Sequence, residues 1–408
     1  MLKSGGVVIP MHQNLSSIKF IIGDVNIIED MRIISALQPF DNKVIDYLDA
    51  ISKILLTDTE AKRFPDVITF AFWCRKASVM NLKKSGADEP NRIGKGVVLH
   101  IAPSNVAVNF AYSLVTGILS GNANIVRMPS KDFEQVHIIC NAMKKALTKE
   151  IVPYICLIQY GHDQEINDFL SVICDVRIIW GGDQTIKTLR KSPLKARATE
   201  ITFADRYSIC IINSEEYIKA ENKKTIMQGF YNDTYLNDQN ACTSPRIIIW
   251  LGNKVEEAQR YFWKELHNIL LKNDYTLMPI QVVNKYTNIC KQAVNEDVCL
   301  NTLGDNLIFR VKIDVIDNRL KDYYGNSGYF MEYEAKSLDE ILPICETGCQ
   351  TLSYYGLEME EINKFIMQSR PRGIDRVVPI GKTMDFSLTW DGYDLINCLT
   401  RKVSFEVS

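Results

Sequence analysis

From residue 96 onward the chain alternates short apolar runs with longer stretches in which apolar residues recur every three or four positions. The runs are strand-sized and bounded by Gly or Pro: Gly96–Ile101, Asn124–Met128, Ile155–Gln159, Val176–Trp180 and Tyr207–Ile212. The stretches between them predict helices over Ala107–Leu119, Lys131–Lys149, Asp163–Ser171 and Asp183–Lys191. Apolar character that is continuous rather than alternating marks strands buried on both faces. Strands alternating with helices at this spacing predict an α/β fold with a doubly wound parallel sheet. Ligands of such sheets bind beyond the carboxyl ends of the strands.

Ahead of this region the spacing predicts helices over Val25–Leu37, Asp41–Leu56 (with Asp41 as N-cap) and Pro65–Ser85. In the last of these Ala71, Phe72 and Trp73 are expected to pack inward, with Lys83-Lys84 at the wet end. Behind it, helices are predicted over Glu216–Tyr231 and Val255–Leu271, with the strand Arg246–Leu251 between them. Weaker strand signals fall near Val282, Leu307 and Tyr329. The tail from Arg372 to Ser408 mixes strands with Gly and aromatic residues.

At 408 residues, 46% hydrophobic and 24% charged, the chain has the make-up of two or three globular domains. A net charge of −2 gives no general electrostatic attraction to nucleic acid or acidic lipid. No run approaches the roughly 18–20 apolar residues that a membrane span needs. The N-terminus does not read as a secretory signal, so the expected location is the cytoplasm. Eleven cysteines, an odd number spread along the chain, argue against a disulfide framework. Cys345 and Cys349 are spaced for one helix face, but no second ligand pair lies nearby and no metal site is expected.

Three loops carry candidate chemistry. The first strand is followed by Ala102-Pro103-Ser104-Asn105, so the GxGxxG of an ordinary dinucleotide fold is absent. Gly181-Gly182 lies between a strand and a helix, where backbone N–H groups can approach a phosphate, although Asp183 beside them would repel it unless it serves as the helix cap. Taken alone, such a Gly-Gly is an ordinary turn. Arg127-Met128-Pro129-Ser130-Lys131 closes the second strand. It suits adenosine ribose contacts or reads as a solvated loop; Arg127, Ser130 or Lys131 could accept a 2′-phosphate, which favours NADPH with NADH as the alternative. Cys242 lies in a polar loop, Asp238-Gln239-Asn240-Ala241-Cys242-Thr243-Ser244-Pro245, whereas most other cysteines fall in apolar helices or strands. A thiolate is the nucleophile in thioester chemistry. No histidine nearby offers a Cys–His pair.

Gly94-Lys95-Gly96-Val97-Val98-Leu99-His100-Ile101-Ala102-Pro103-Ser104-Asn105, followed by Leu119-Ser120-Gly121-Asn122-Ala123-Asn124-Ile125-Val126, resembles the aldehyde dehydrogenase superfamily. Gln239–Pro245 and Asp375-Arg376-Val377-Val378-Pro379-Ile380-Gly381-Lys382 resemble its acyl-CoA reductase branch, the LuxC-type fatty acid reductases. Matching stretches run from about 92 to 395. The resemblance implies N-terminal helices and an NAD(P)-binding domain over 1–212, and a catalytic domain over 213–375. It further implies a segment over 376–408 that returns to the cofactor domain or serves oligomerisation. It implies Cys242 as the nucleophile that takes an acyl group from acyl-CoA or an acyl carrier, and Asn105 as an oxyanion donor. Asn105 also reads as a plain turn residue. Ser104, Arg127, Ser130, Lys131, Gly181 and Gly182 become the cofactor contacts, although Met128 stands where the superfamily has lysine. A homo-oligomer is expected, since superfamily members associate through a protruding strand.

One departure bears on the reaction. Hydrolytic members carry a glutamate that activates water; its position here falls near Thr202, with Glu200 two residues away. Loss of that base suits a reductase, because water attack on the acyl-enzyme would waste the substrate as free acid. Two alternatives stay open: an aldehyde dehydrogenase running in the oxidising direction, and a non-catalytic subunit that keeps the fold for assembly.

Overall fold

The computed structural model describes residues 17–84, 90–295, 298–323 and 325–406. The chain divides into two compact units, residues up to Ala204 together with Ser387 onward, and residues Asp205–Phe386.

The first unit contains strands β1 (Lys19–Ile22), β2 (Arg92–Gly94), β3 (Val97–Ile101), β4 (Ala123–Arg127), β5 (Ile155–Gln159), β6 (Val176–Trp180) and β7 (Thr199–Phe203). Its six-stranded sheet has the order β1-β5-β4-β3-β6-β7. Only β1 runs antiparallel. β3 and β6 are buried at every position, as their mostly apolar runs predict, with His100 and Arg177 as the polar exceptions. The crossover helices are the short Asp183–Leu189 and the longer Asn109–Leu119, Glu134–Ala146 and Gln164–Ile173. Asp163 caps the last of them by accepting the Ile166 N–H at 3.1 Å.

The sheet's order reverses at β3: β4 follows on one side and β6 on the other. His100, in β3, ties that point together. Its Nδ1 meets Ser113 Oγ at 2.8 Å and its Nε2 meets Asn124 Oδ1 at 3.0 Å. Trp180 Nε1 also donates to Ser113, at 2.9 Å. Beside them Gly117 lets helix and sheet touch, since a Cβ there would lie 1.9 Å from Asn124 Oδ1. Burial pushes the His100 imidazole down to about 4, so the folded protein holds it neutral. The unfolded chain takes up its proton first, near pH 6.5. His100 therefore contributes stability that is full above pH ~6.5 and is lost as pH falls toward 4, about 3 kcal/mol in all. His100→Gln is expected to flatten the fall of the thermal midpoint between pH 7 and 4.5. Equal slopes in the two proteins would refute this.

The second unit contains β8 (Tyr207–Asn213), β9 (Pro245–Leu251), β10 (Cys299–Asn301), β11 (Phe309–Lys312), β12 (Tyr329–Ala335), β13 (Cys349–Tyr355) and β14 (Arg376–Pro379). They form one sheet in the order β10-β11-β12-β9-β8-β13-β14, parallel except for β10. Both faces are covered. Ile209, Ile211, Ile247 and Ile249 join one core, while Cys210, Ile212, Ile248 and Trp250 join the other. The chain then returns to the first unit through the hairpin β15 (Thr389–Trp390) and β16 (Tyr393–Asp394) and the strand β17 (Thr400–Lys402), which pairs with β2.

The structure departs from the sequence reading at several places. The fifth parallel strand of the first sheet is β7, not Tyr207–Ile212, which lies in the middle of the second sheet. The boundary accordingly falls at 204/205 rather than 212/213, and the return at 386/387 rather than 375/376. Val282 lies in a helix, Pro279–Ala293, whose start is set by Pro279 and by Gln281 accepting the Met278 N–H at 2.7 Å. Glu216–Tyr231 is two helices, Ser214–Lys219 and Lys223–Thr234. Pro65–Ser85 is also two, Pro65–Trp73 and Lys76–Leu82, and Ser85 is outside the described residues. Phe72 is 47% exposed instead of packed inward. Cys345 ends a 3-10 turn and Cys349 opens β13, so they do not share a helix face.

Candidate active site

In the first unit, the carboxyl ends of β3, β4 and β6 gather most of the residues singled out for the cofactor. Ser104 and Asn105 are exposed on the bend after β3. Ser104 Oγ lies 2.9 Å from Ser130 Oγ, so the turns after β3 and β4 are joined by a hydroxyl pair. Lys131 is exposed, with its ammonium 4.9 Å from the Phe133 ring centroid. Arg127 is occupied elsewhere. Its Nη2 donates to the Gly161 carbonyl at 3.1 Å, and its guanidinium lies 4.6 Å from the Tyr160 ring centroid. Met128 is buried, so its side chain is core rather than a polar contact.

Gly181 and Gly182 are half-buried after β6. Gly182, not Asp183, is the cap of the seven-residue helix Asp183–Leu189. One residue was missed from the sequence. Asn109, in the first turn of the helix after β3, has a buried Oδ1 with no hydrogen-bond partner among the described residues. Only the rule that ligands gather at the point where strand order reverses would have drawn attention to it.

In the second unit, the loop carrying Cys242 lies at the amino end of β9. Helix Lys223–Thr234 runs into a 3-10 turn, Tyr235–Asn237. Asp238 and Gln239 then take left-handed backbone, with φ of 54° and 55°. Such a pair persists only where its surroundings hold it, and here they do. The Asp238 carbonyl accepts the Ser327 N–H at 2.9 Å, and its carboxylate accepts the Tyr275 hydroxyl at 2.6 Å. Gln239 is fully buried and uses both ends of its amide. Nε2 donates to the Pro245 and Tyr329 carbonyls at 3.1 and 3.4 Å, while Oε1 accepts the N–H groups of Gly328 and Tyr329 at 2.7 and 3.1 Å. Gly328 has φ +84°, and a Cβ on it would lie 2.2 Å from the Leu307 carbonyl. Arg246 Nη2 donates to the Gln239 carbonyl at 2.8 Å and to Asn326 Oδ1 at 3.1 Å.

Around the thiol itself, Ser208 Oγ donates to the Cys242 carbonyl at 2.7 Å. Asn237 Nδ2 and Thr243 Oγ1 both donate to the Met384 sulfur, at 3.3 and 3.4 Å. Met384 follows the Asp375–Lys382 motif, so that motif is built into the cysteine loop. Gln239, Arg246, Ser208 and Met384 went unrecognised in the sequence because their partners are far along the chain.

Of the eleven cysteines, none is in a disulfide, and Cys242 and Cys398 are the two that are half-buried. Burial pushes the thiols of Cys140, Cys156, Cys174, Cys210 and Cys345 up to about 12. It raises those of Cys74, Cys349 and Cys398 as well. Cys290 and Cys299 are exposed, on a surface helix and an edge strand. Cys242 is half-buried on a loop whose backbone is held from every side. Among the described residues no group of three or more His, Cys, Asp or Glu could hold a metal ion. Among those same residues no helix is long and apolar enough to cross a membrane.

The sequence signature described as Acyl-CoA reductase (LuxC) matches residues 28–305. The long-chain acyl-protein thioester reductase of Aliivibrio fischeri is 23% identical over 324 residues, covering 76% of this chain and 64% of that protein. Its counterpart in Photorhabdus laumondii is 22% identical over 334 residues, with the same two coverages of 76% and 64%. The chain therefore spans just under two thirds of the length of these relatives. Among solved structures, an NAD-dependent benzaldehyde dehydrogenase from Corynebacterium glutamicum superposes with a TM-score of 0.66 at 13% identity, covering 95% of this chain and 94% of that one. An indole-3-acetaldehyde dehydrogenase complexed with NAD+ gives 0.65 at 12% identity, covering 92% and 86%. At such identities the likeness speaks for the fold, which is that of the aldehyde dehydrogenases.

Proposed function

The chain belongs to the acyl-CoA reductase (LuxC) family, and from that premise we propose that it reduces an acyl thioester to the aldehyde through an acyl-enzyme on Cys242. One observation carries the reading: Cys242 is a half-buried thiol on a loop anchored by the buried Gln239 amide, which is bonded at both ends, and by Arg246. The Cys242 thiolate attacks the thioester carbonyl and expels the carrier as its thiolate, which takes a proton from water. A new thioester then joins the acyl group to the protein. The resemblance assigns the Cys242 N–H and the Asn105 amide to the oxyanion that forms on the way. Each such donor is worth roughly 2.7–4 kcal/mol in the transition state. The hydrogen bond from Ser208 to the Cys242 carbonyl fixes the peptide that follows the cysteine, between residues 242 and 243.

The crevice at β3, β4 and β6 fits a nicotinamide dinucleotide. It offers the Ser104–Ser130 hydroxyl pair, the orphaned Asn109 Oδ1 and the open Gly181-Gly182 turn. Ser104, Ser130 and Lys131 would face the adenosine ribose, and Gly181 and Gly182 the phosphates. With Arg127 committed to Gly161 and Tyr160, a 2′-phosphate would rest on Ser130 and Lys131, and NADPH is our assignment. When bound, the reduced nicotinamide supplies the hydride. Long-chain acyl groups, as in the relatives' names, are the substrate class we assign.

The test is mass spectrometry of the full chain after incubation with acyl-CoAs of graded length and no cofactor. The expected result is one acyl adduct, on the peptide holding Cys242, which disappears with release of aldehyde when NADPH is added. Adducts confined to Cys290 or Cys299 would end the proposal.

A further inference from the structure

Asp233 stands at the end of helix Lys223–Thr234 and is 1% exposed. Its two carboxylate oxygens are used separately: Oδ2 accepts the Gly381 N–H at 2.6 Å and Oδ1 the Thr383 N–H at 3.1 Å. One turn earlier on the same helix face, Gly229 allows the close approach, since a Cβ there would lie 3.0 Å from Gly381 Cα. Arg376 closes the loop from its other side. Its Nη1 donates to the Thr383 carbonyl at 2.6 Å, and its Nη2 to the carbonyls of Lys382, at 3.0 Å, and Asp385. Next after Thr383 comes Met384, whose sulfur accepts from Asn237 and from Thr243, the neighbour of Cys242.

We propose that Asp233 is a positioning residue for Cys242: by gripping the Gly381 and Thr383 amides it seats Met384 between Asn237 and Thr243, and so fixes how the loop presents the thiol. The proposal rests on Cys242 being the reactive group of the reductase reading. Two amide donors converge on one side chain, and a carboxylate accepts both. An asparagine accepts one and turns its own N–H₂ toward the other.

The grip is also sensitive to protons. Burial pushes the Asp233 carboxyl up to about 6, the Gly381 and Thr383 bonds oppose that, and the Asp385 charge adds to it. The other charged or titratable groups facing this cluster are Arg376, held on the loop carbonyls, Lys382, paired with Asp385 at 2.9 Å, and Cys210 on β8. As pH falls through about 6, Asp233 gains a proton and loses an acceptor, which gives the loop the character of the asparagine variant.

The test is alkylation of the full chain by iodoacetamide, read peptide by peptide, with Cys290 and Cys299 as references inside the same sample. At pH 7.5 the Cys242 rate of Asp233→Asn is expected to fall at least about fivefold against the references, a coupling of ordinary size for groups in one hydrogen-bond network. In the wild type, the Cys242-to-Cys290 ratio is expected to move onto the variant's value between pH 7 and 5, while the variant's ratio stays flat. A residue that merely supports the fold would not move that profile. A Cys242 rate within twofold of wild type at every pH overturns the proposal. Should Asp233→Asn fail to fold, Met384→Leu, which removes only the sulfur acceptor, decides by the same alkylation measurement. Acyl-CoA labelling keeps the two readings apart. If acyl-CoA never labels wild-type Cys242, the reductase reading fails while the alkylation result stands. If it labels wild type and Asp233→Asn equally, only the positioning role falls.

Discussion

Cys242→Ala is expected to lower acyl-thioester reduction roughly a million-fold, the loss that follows when a covalent nucleophile is removed, while leaving the fold in place. The size of the effect follows from the absence of a substitute. The seven buried thiols are held up by burial and cannot ionise near neutral pH, burial also raises that of half-buried Cys398, and Cys290 and Cys299 sit on the surface. The fold should survive because the loop's anchors lie on other atoms. Ser208 binds the residue 242 carbonyl, Gln239 and Arg246 bind backbone and side chains around it, and none of these contacts uses the Cys242 sulfur. A half-buried thiol traded for a methyl group should cost under about 1 kcal/mol, or a shift of about 2–4 °C in Tm for a unit of this size. Aldehyde formation by gas chromatography and a thermal melt decide the matter. Turnover within tenfold of wild type would mean that the acyl group never passes through this sulfur.

Much of this arrangement can be read from the chain, and what cannot be read has a definite cause. Ile155–Gln159 and Val176–Trp180 are predicted with the ends they have, because a strand buried on both faces is a mostly apolar run, interrupted in the second only by Arg177. Such a run reveals burial but not which sheet is entered. Tyr207–Ile212 therefore looked like the last strand of the first sheet, whereas it lies in the middle of the second. The true last strand, Thr199–Phe203, is an edge that alternates exposed and buried residues, and its signal is weak. The helix Pro279–Ala293 defeats pattern reading altogether. Its inward residues are Lys285 and Gln292, while Ile280 and Val283 face solvent. Lys285 is satisfied there by the Asn306 and Leu307 carbonyls at 2.6 and 3.2 Å. Cys242 itself was legible from its polar loop. The Gln239, Arg246 and Met384 contacts that hold the loop were not, since they join residues brought together only by the sheet.

Glu200→Ala is expected to destabilise the first unit by about 3–5 kcal/mol, the usual result of removing one partner from a buried ion pair, and to leave catalysis by the folded fraction unchanged. Arg177 is 2% exposed, and its Nε and Nη2 both donate to Glu200 Oε2, at 2.8 and 2.5 Å. Its remaining nitrogen donates to Ser171 Oγ and to the Leu189 and Ser192 carbonyls, and Arg190 holds the second carboxylate oxygen at 2.8 Å. Alanine would strand the guanidinium among neutral acceptors with no counter-charge. At about 2–4 °C per kcal/mol the melt should drop by roughly 6–20 °C. Glu200→Gln, which keeps an acceptor but not the charge, should fall between. Position explains why chemistry is spared. Arg177 and Glu200 are direct partners near the amino ends of β6 and β7. Gly181, Gly182 and the turn after β3 lie beyond the opposite, carboxyl ends, and the three residues from Glu200 to Phe203 span about 10 Å at strand rise. A glutamate bound to two arginines near the amino end of its strand has the setting of a structural ion pair, which is the role we propose for it. If instead the folded Glu200→Ala protein melted like wild type and lost only the oxidation of aldehyde to free acid, Glu200 would be the water-activating base, and the chain would be read as an oxidising aldehyde dehydrogenase.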